Sequence, residues 1–169
     1  NFFCLNPEKG DDQFLVDLPG YGYAKVPESV RNHWQSVLSS YLIERESLFG
    51  LVLVMDSRRP LTPLDEQMLD WFCHSGKPVH VLLTKSDKLK RGAAKSQMLS
   101  VRKDIKNQQL EDFVTVQTFS SLKGDGLPEL RAYLNDKLAV EAYSDIDPDY
   151  ADLDIYIPPE ADISDTIDD

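Results

Sequence analysis

The chain has 169 residues, enough for one domain of ordinary size, and a formal charge of −11. The charge is uneven: residues 1–140 carry 18 acidic and 18 basic side chains, whereas residues 141–169 carry 11 acids and no Lys or Arg. The body is therefore neutral, the terminal stretch repels nucleic acid and anionic membrane, and no apolar run nears the ~20 residues of a membrane span.

In chain order, short β-branched or aromatic runs predict strands at Phe2–Leu5, Phe14–Asp17, Leu51–Asp56, Val79–Thr84 and Phe113–Phe119. Three of them are nearly continuous in apolar residues, the pattern of strands buried on both faces. Helical stripes lie between. Val30, Trp34, Val37, Leu38, Tyr41 and Leu42 share one face, and Leu64, Met68, Trp71 and Phe72 another. Ala94, Met98, Val101 and Ile105 make a third, and Leu127, Leu130, Leu134 and Leu138 a fourth. These stripes read as core. Strands alternating with helices predict an α/β parallel sheet with helices on both faces, whose ligands bind at the carboxyl ends of the strands.

After Ala142, Asp residues alternate with Tyr, Ile, Pro and Leu. This composition predicts a solvated, disordered tail over 141–169. A calcium loop is excluded, because the Gly and the closing Glu are not at the required offsets. Cys4 and Cys73 lie in apolar contexts without metal spacing, which predicts buried free thiols and a cytoplasmic, reducing compartment. His33, His74 and His80 have no ligand spacing and are expected at the surface or at helix ends.

Three loops that follow predicted strands carry chemistry. The first is Asp17-Leu18-Pro19-Gly20. A carboxylate at a strand end can hold Mg²⁺ through water beside a nucleotide's phosphates, and a Gly three residues on lets a backbone N–H approach a terminal phosphate. The second is Thr84-Lys85-Ser86-Asp87. Its Asp can accept two parallel hydrogen bonds from guanine N1–H and the 2-amino group, a donor pair that adenine lacks, while the Lys stem lies along base and ribose. The third is Ser120-Ser121-Leu122-Lys123-Gly124. Here the Ser121 N–H can face guanine O6 and Leu122 can cover a ring face. Singly, the three also read as a Pro-Gly turn, a helix N-cap or surface turn, and a polar loop. Their order along one α/β chain points to a guanine nucleotide.

The stretches 17–26 (DLPGYGYAKV), 56–65 (DSRRPLTPLD), 83–92 (LTKSDKLKRG) and 119–124 (FSSLKG) resemble the EngB (YihA/YsxC) family of the TrmE-Era-EngA-EngB-septin-like GTPase superfamily. The resemblance covers residues 1 to about 140. It implies a Ras-like P-loop GTPase sheet, binding of GTP and GDP with Mg²⁺, and a role in assembling the large ribosomal subunit, with effects on cell division and septation. Carried over by position, Asp17, Leu18, Pro19 and Gly20 face Mg²⁺ and the γ-phosphate. Thr84, Lys85, Ser86 and Asp87 hold the base and ribose side, and Phe119, Ser120 and Ser121 close over the guanine.

Against the family pattern, the GxxxxGK[ST] loop and the switch Thr are expected upstream of Asn1. The expected fold therefore lacks the first strand, the phosphate loop and the first helix. The nearest internal match, Gly92-Ala93-Ala94-Lys95-Ser96, lacks the first Gly and the Gly before Lys. The chain by itself is accordingly expected to fold poorly and to be inactive; the rival readings are a non-catalytic ribosome- or partner-binding segment and an ATP-dependent α/β enzyme, against which Asp87 argues. Tyr21 stands where many Ras-like GTPases carry a Gln, which predicts at most slow hydrolysis and no catalytic side chain in this stretch. Arg58, Arg59, Lys88, Lys90 and Arg91, with Lys85 and Lys95 beside them, are candidate rRNA contacts through phosphate neutralisation. The protein is expected to be a monomer.

Overall fold

The computed structural model describes residues 1–4, 13–18, 40–42 and 45–138. Strands β1 (Phe2–Cys4), β2 (Phe14–Val16), β3 (Leu51–Asp56), β4 (Val79–Thr84) and β5 (Val114–Thr118) fall on the five predicted runs. Helices α1 (Pro63–Cys73), α2 (Arg91–Asn107) and α3 (Leu127–Leu138) fall on three of the four stripes. Of the first stripe only Tyr41 and Leu42 are described: residues 40–42 are helical, and Leu42 is fully buried in the core. Val30, Trp34, Val37 and Leu38, the tail 141–169 and His33 lie outside the described residues.

β3, β4 and β5 form a parallel sheet in the order β3-β4-β5, with Leu51 opposite Val79 and Val79 opposite Val114. Each crossover between these strands carries a helix, as parallel pairing requires. α1 starts sharply because its first turn is capped from both directions. The Thr62 side chain accepts from the Asp65 N–H at 3.3 Å, and the Asp65 carboxylate accepts from the Thr62 N–H at 2.8 Å, with Pro63 at the first helical position.

Strand period puts Val79, Val81 and Leu83 on one face of β4. There they form a core with Leu53 and Met55 of β3, Met68, Leu69 and Phe72 of α1, Val101 and Ile105 of α2, and Val114 and Val116 of β5. The opposite face of β4 is covered by α3, whose Tyr133 ring stacks on His80 at a 4.0 Å centroid separation. Helices thus lie on both faces of the sheet.

Five expectations are corrected. β1 and β2 pair antiparallel, with Phe2 opposite Val16, in a ribbon separate from the parallel sheet. Their connection spans only residues 5–13, too short for the dozen or more that a parallel crossover takes. Cys4 on that ribbon is exposed rather than buried, and Cys73 is half-buried; neither forms a disulfide. β3 is not buried on both faces, since Val54 is 54% exposed at the sheet's edge strand. The α3 stripe is half-buried throughout, with no fully buried residue. His80 is not a surface histidine: it is 4% exposed, because β4 is the central strand. Burial is tolerated there because Nε2 bonds Gln117 Oε1 at 2.9 Å and Nδ1 contacts Thr115 Oγ1 at 2.7 Å.

Among the described residues no helix is long and apolar enough to cross a membrane.

Candidate functional site

The parallel sheet delivers the ends of β3, β4 and β5 to one edge of the molecule, and their loops are tied to one another. Thr84 closes β4 beside Asp56, its register partner on β3. The Thr84 hydroxyl donates to the Met55 carbonyl at 3.0 Å, and the Thr84 carbonyl accepts from the Ser57 N–H at 2.9 Å. On the other side the Phe119 N–H donates to the Leu83 carbonyl at 2.8 Å, and the Ser86 N–H to the Phe119 carbonyl at 3.1 Å. The β4–β5 ladder therefore continues past the strands into both loops.

Between these clamps Lys85 turns the chain in a left-handed conformation (φ 57°, ψ 30°). A single 3₁₀ turn, Ser86–Lys88, follows and presents Asp87. Ser120, fully buried, donates its hydroxyl to Asp87 Oδ1 at 2.7 Å and accepts from the Lys123 N–H at 3.2 Å. The Ser120 N–H in turn donates to the Asp125 carbonyl at 2.9 Å. One serine thus joins the second motif to the third and shapes the turn after β5. That turn ends at Gly126 (φ 84°), where a Cβ would collide with the Thr118 carbonyl oxygen, so only glycine fits. Ser121 and Leu122 lie at its exposed tip, and Leu122, at 74% exposure, offers a large apolar surface with no protein face to cover it among the described residues.

The site's charges are ordered. The Ser120 hydroxyl holds Asp87 below the usual carboxylate range, with Lys88 Nζ at 3.5 Å adding to it. An ionised Asp87, with four acceptor lobes and one strong donor in place, keeps room for two further donors. Asp56 sits much lower still, because Arg58 grips it. Arg58 Nε and its backbone N–H both donate to Oδ1 at 2.9 Å, and Nη2 donates to Oδ2 at 2.6 Å.

Of the sequence-predicted residues, Thr84, Lys85, Ser86, Asp87, Phe119, Ser120 and Ser121 come together in this cluster. Asp17 does not join it by any hydrogen bond among the described residues. At the end of β2 it exchanges backbone bonds with Asn1, and its Oδ2 accepts from Asn1 Nδ2 at 3.3 Å. Leu18 packs against the core, while Pro19, Gly20 and Tyr21 lie outside the described residues. Among the described residues no group of three metal-ligating side chains converges. A lone exposed carboxylate such as Asp17 suits Mg²⁺ only where waters and phosphate oxygens supply the remaining ligands, the usual manner for that ion. The decoy Gly92–Ser96 lies inside the first turns of α2, so it forms no phosphate-cradling loop.

Two features had no clear signal in the motifs. Asp56 reads as the end of an apolar run, although the Asp-x-Arg spacing at a strand's carboxyl end hints at an ion pair. The hydroxyl of Ser57, fully buried next to it, has no hydrogen-bond partner among the described residues.

The chain is similar to known proteins over most of its length. It is 59% identical over 129 residues to "Probable GTP-binding protein EngB" of Methylobacillus flagellatus, covering 76% of this chain and 59% of that protein. The protein of the same name from Azoarcus sp. is 58% identical over 130 residues, covering 77% and 60%. That from Thiobacillus denitrificans is 49% identical over 142 residues, covering 84% and 66%. The chain therefore spans about three fifths of the length of these relatives. Among solved structures, that of "a probable GTP-binding protein engB" superposes with a TM-score of 0.63 at 16% identity, over 78% of this chain and 81% of that one. Apo translation elongation factor SelB of Methanococcus maripaludis superposes with a TM-score of 0.56 at 19% identity, over 76% and 25%. These two likenesses show a shared fold. No protein-family model matches the chain.

Proposed function

Because the chain belongs to the EngB family of GTP-binding proteins and has a P-loop GTPase-like α/β fold, we propose that it supplies the guanine-recognising half of a GTP- and GDP-binding site. The observation that carries this reading is the Ser120–Asp87 bond, which joins the two base-side loops into one pocket edge. Asp87 accepts guanine N1–H and the 2-amino group, Leu122 covers one ring face, Lys85 lies along the base and ribose, and the Ser121 N–H faces O6. Thr84, Ser86 and Phe119 set the loop backbones. Asp17 holds Mg²⁺ through water, with Leu18, Pro19 and Gly20 leading to the terminal phosphate. The ion, when bound, offsets charge on the phosphates.

In the whole protein this site serves large-subunit ribosome assembly in the cytoplasm, and through it cell division and septation. Arg59, Lys88, Lys90 and Arg91 are exposed beside the pocket and suit contacts to rRNA phosphates. Arg58 is already held by Asp56.

The test is a titration of the full-length protein with GDP and with ADP. GDP is expected to bind at least a hundredfold more tightly, since ADP lacks the donor pair that Asp87 accepts from guanine. Asp87→Asn is expected to erase most of that preference. Equal affinity for the two nucleotides in the wild-type protein would sink the reading.

A further inference from the structure

The loops after β3 and β4 share a charged contact that the three motifs do not account for. The Asp56 carboxylate gathers four donors. Three come from Arg58, two positions away, and form a closed fork on both oxygens. The fourth is Lys85 Nζ, 3.3 Å from Oδ2. Lys85 comes from a different strand end, the one that bears the base-recognising Asp87 three residues behind β4.

The backbone prepares this meeting. Asp56 and Thr84 are register partners, so the carboxylate stands one strand across from the residue before Lys85. The Ser57 N–H holds the Thr84 carbonyl at 2.9 Å, which fixes the spacing of the two loops. Lys85 itself is in the left-handed region, where a side chain with a Cβ persists only if its surroundings hold it.

A surface ion pair that merely stapled the β3 turn would be complete with Arg58 alone. The Arg59 N–H already closes that turn on the Asp56 carbonyl at 3.0 Å. The second cation is therefore the informative one. A lysine whose head is held leaves its methylene stem less free to wander, and that stem belongs to the residue two positions before Asp87. Arg58, gripping both oxygens, sets the direction in which Asp56 receives Lys85.

We propose that Asp56 is a positioning residue for the nucleotide: it anchors the Lys85 ammonium so that the lysine stem is preorganised against base and ribose, with Arg58 orienting the carboxylate. This inference rests on the guanine-nucleotide reading and refines it. Half-exposed ion pairs contribute little to folding, so the effect belongs to binding. A long side chain that must be ordered on binding weakens affinity by about three- to tenfold.

The experiment is a double-mutant cycle on the full-length protein, with GDP affinity and melting temperature measured for wild type, Asp56→Asn, Lys85→Ala and both together. Asp56→Asn is expected to weaken GDP by about three- to tenfold and to have no further effect once Lys85 is Ala. An equal loss in both backgrounds would mean a merely structural role and overturn the proposal, as would unchanged affinity in Asp56→Asn. Should Asp56→Asn melt early, Arg58→Gln serves in its place, with a smaller loss expected that again disappears in Lys85→Ala; a loss that persists there also overturns it. The nucleotide reading fails separately, and visibly, if wild type itself does not prefer GDP to ADP.

Discussion

The β3-β4-β5 sheet and the β1–β2 ribbon are written in the same apolar alphabet, yet one is a core and the other a surface. β4 buries five consecutive side chains, a histidine among them. On the ribbon, Phe2, Phe3 and Phe14 are 62%, 56% and 48% exposed. The difference lies in layering. The sheet has helices against both faces, whereas no strand joins the ribbon to the sheet among the described residues. Burial is a property of what a run is packed against, and residue type supplies only the incentive. The candidate site follows the same division. The side proposed to take the base grows out of the layered sheet and is braced loop to loop through Ser120 and Asp87. The side proposed to take the phosphates, at Asp17, ends the ribbon and bonds Asn1.

The comparison breaks most easily at Phe72. It is fully buried where α1 meets β3 and β4. Phe72→Ala removes transfer energy and leaves a cavity, an expected loss of about 3–5 kcal/mol in urea unfolding. A loss below ~1 kcal/mol would show that this core is far looser than its burial implies.

Much of the sheet side was legible in the sequence for local reasons. The ends of β3 and β4 match the predicted runs to the residue, because each stops at a polar cluster that cannot continue an apolar run. The loops after β4 and β5 could be picked out because their polar residues are consecutive in the chain. What was not legible depends on partners distant in the chain. The antiparallel sense of β1 and β2, the exposure of Val54 and the anchoring of Lys85 by Asp56 are all settled by which strand lies alongside. His80 illustrates this best. Alone it reads as a surface residue; between Thr115, Gln117 and Tyr133 it is a satisfied interior group. The bonds that Asp17 makes among the described residues, to Asn1, likewise depend on a residue sixteen positions away.

His80 also gives a sharper measure of the layered side. Burial lowers its pKa, and the Gln117 bond only partly opposes this. The unfolded chain, with an ordinary histidine, therefore binds the proton more readily than the folded one. Stability is full above the ordinary histidine pKa and falls as pH drops through it towards the lower folded value. Urea unfolding at pH 7.5 and 5.5 is expected to show this loss in wild type, and His80→Gln is expected to reduce the difference. An unchanged pH slope in His80→Gln would mean that the ring is hydrated in solution and that the α3 face is open.

The smallest expected effect tests the other half. Phe3 pairs with Leu15 across the ribbon but is 56% exposed, and among the described residues it belongs to no buried cluster. Threonine keeps the strand preference while removing the ring. Phe3→Thr should then change stability by no more than about 0.5 kcal/mol, the usual range for surface positions. Its informative outcome is a large loss. A cost near that of Phe72→Ala would mean that the ring is covered in the folded protein, so that the ribbon is a layer of a core after all. Asp17 at its end would then stand on a frame as firm as the one beneath Asp87, and the two halves of the site would differ in chemistry alone.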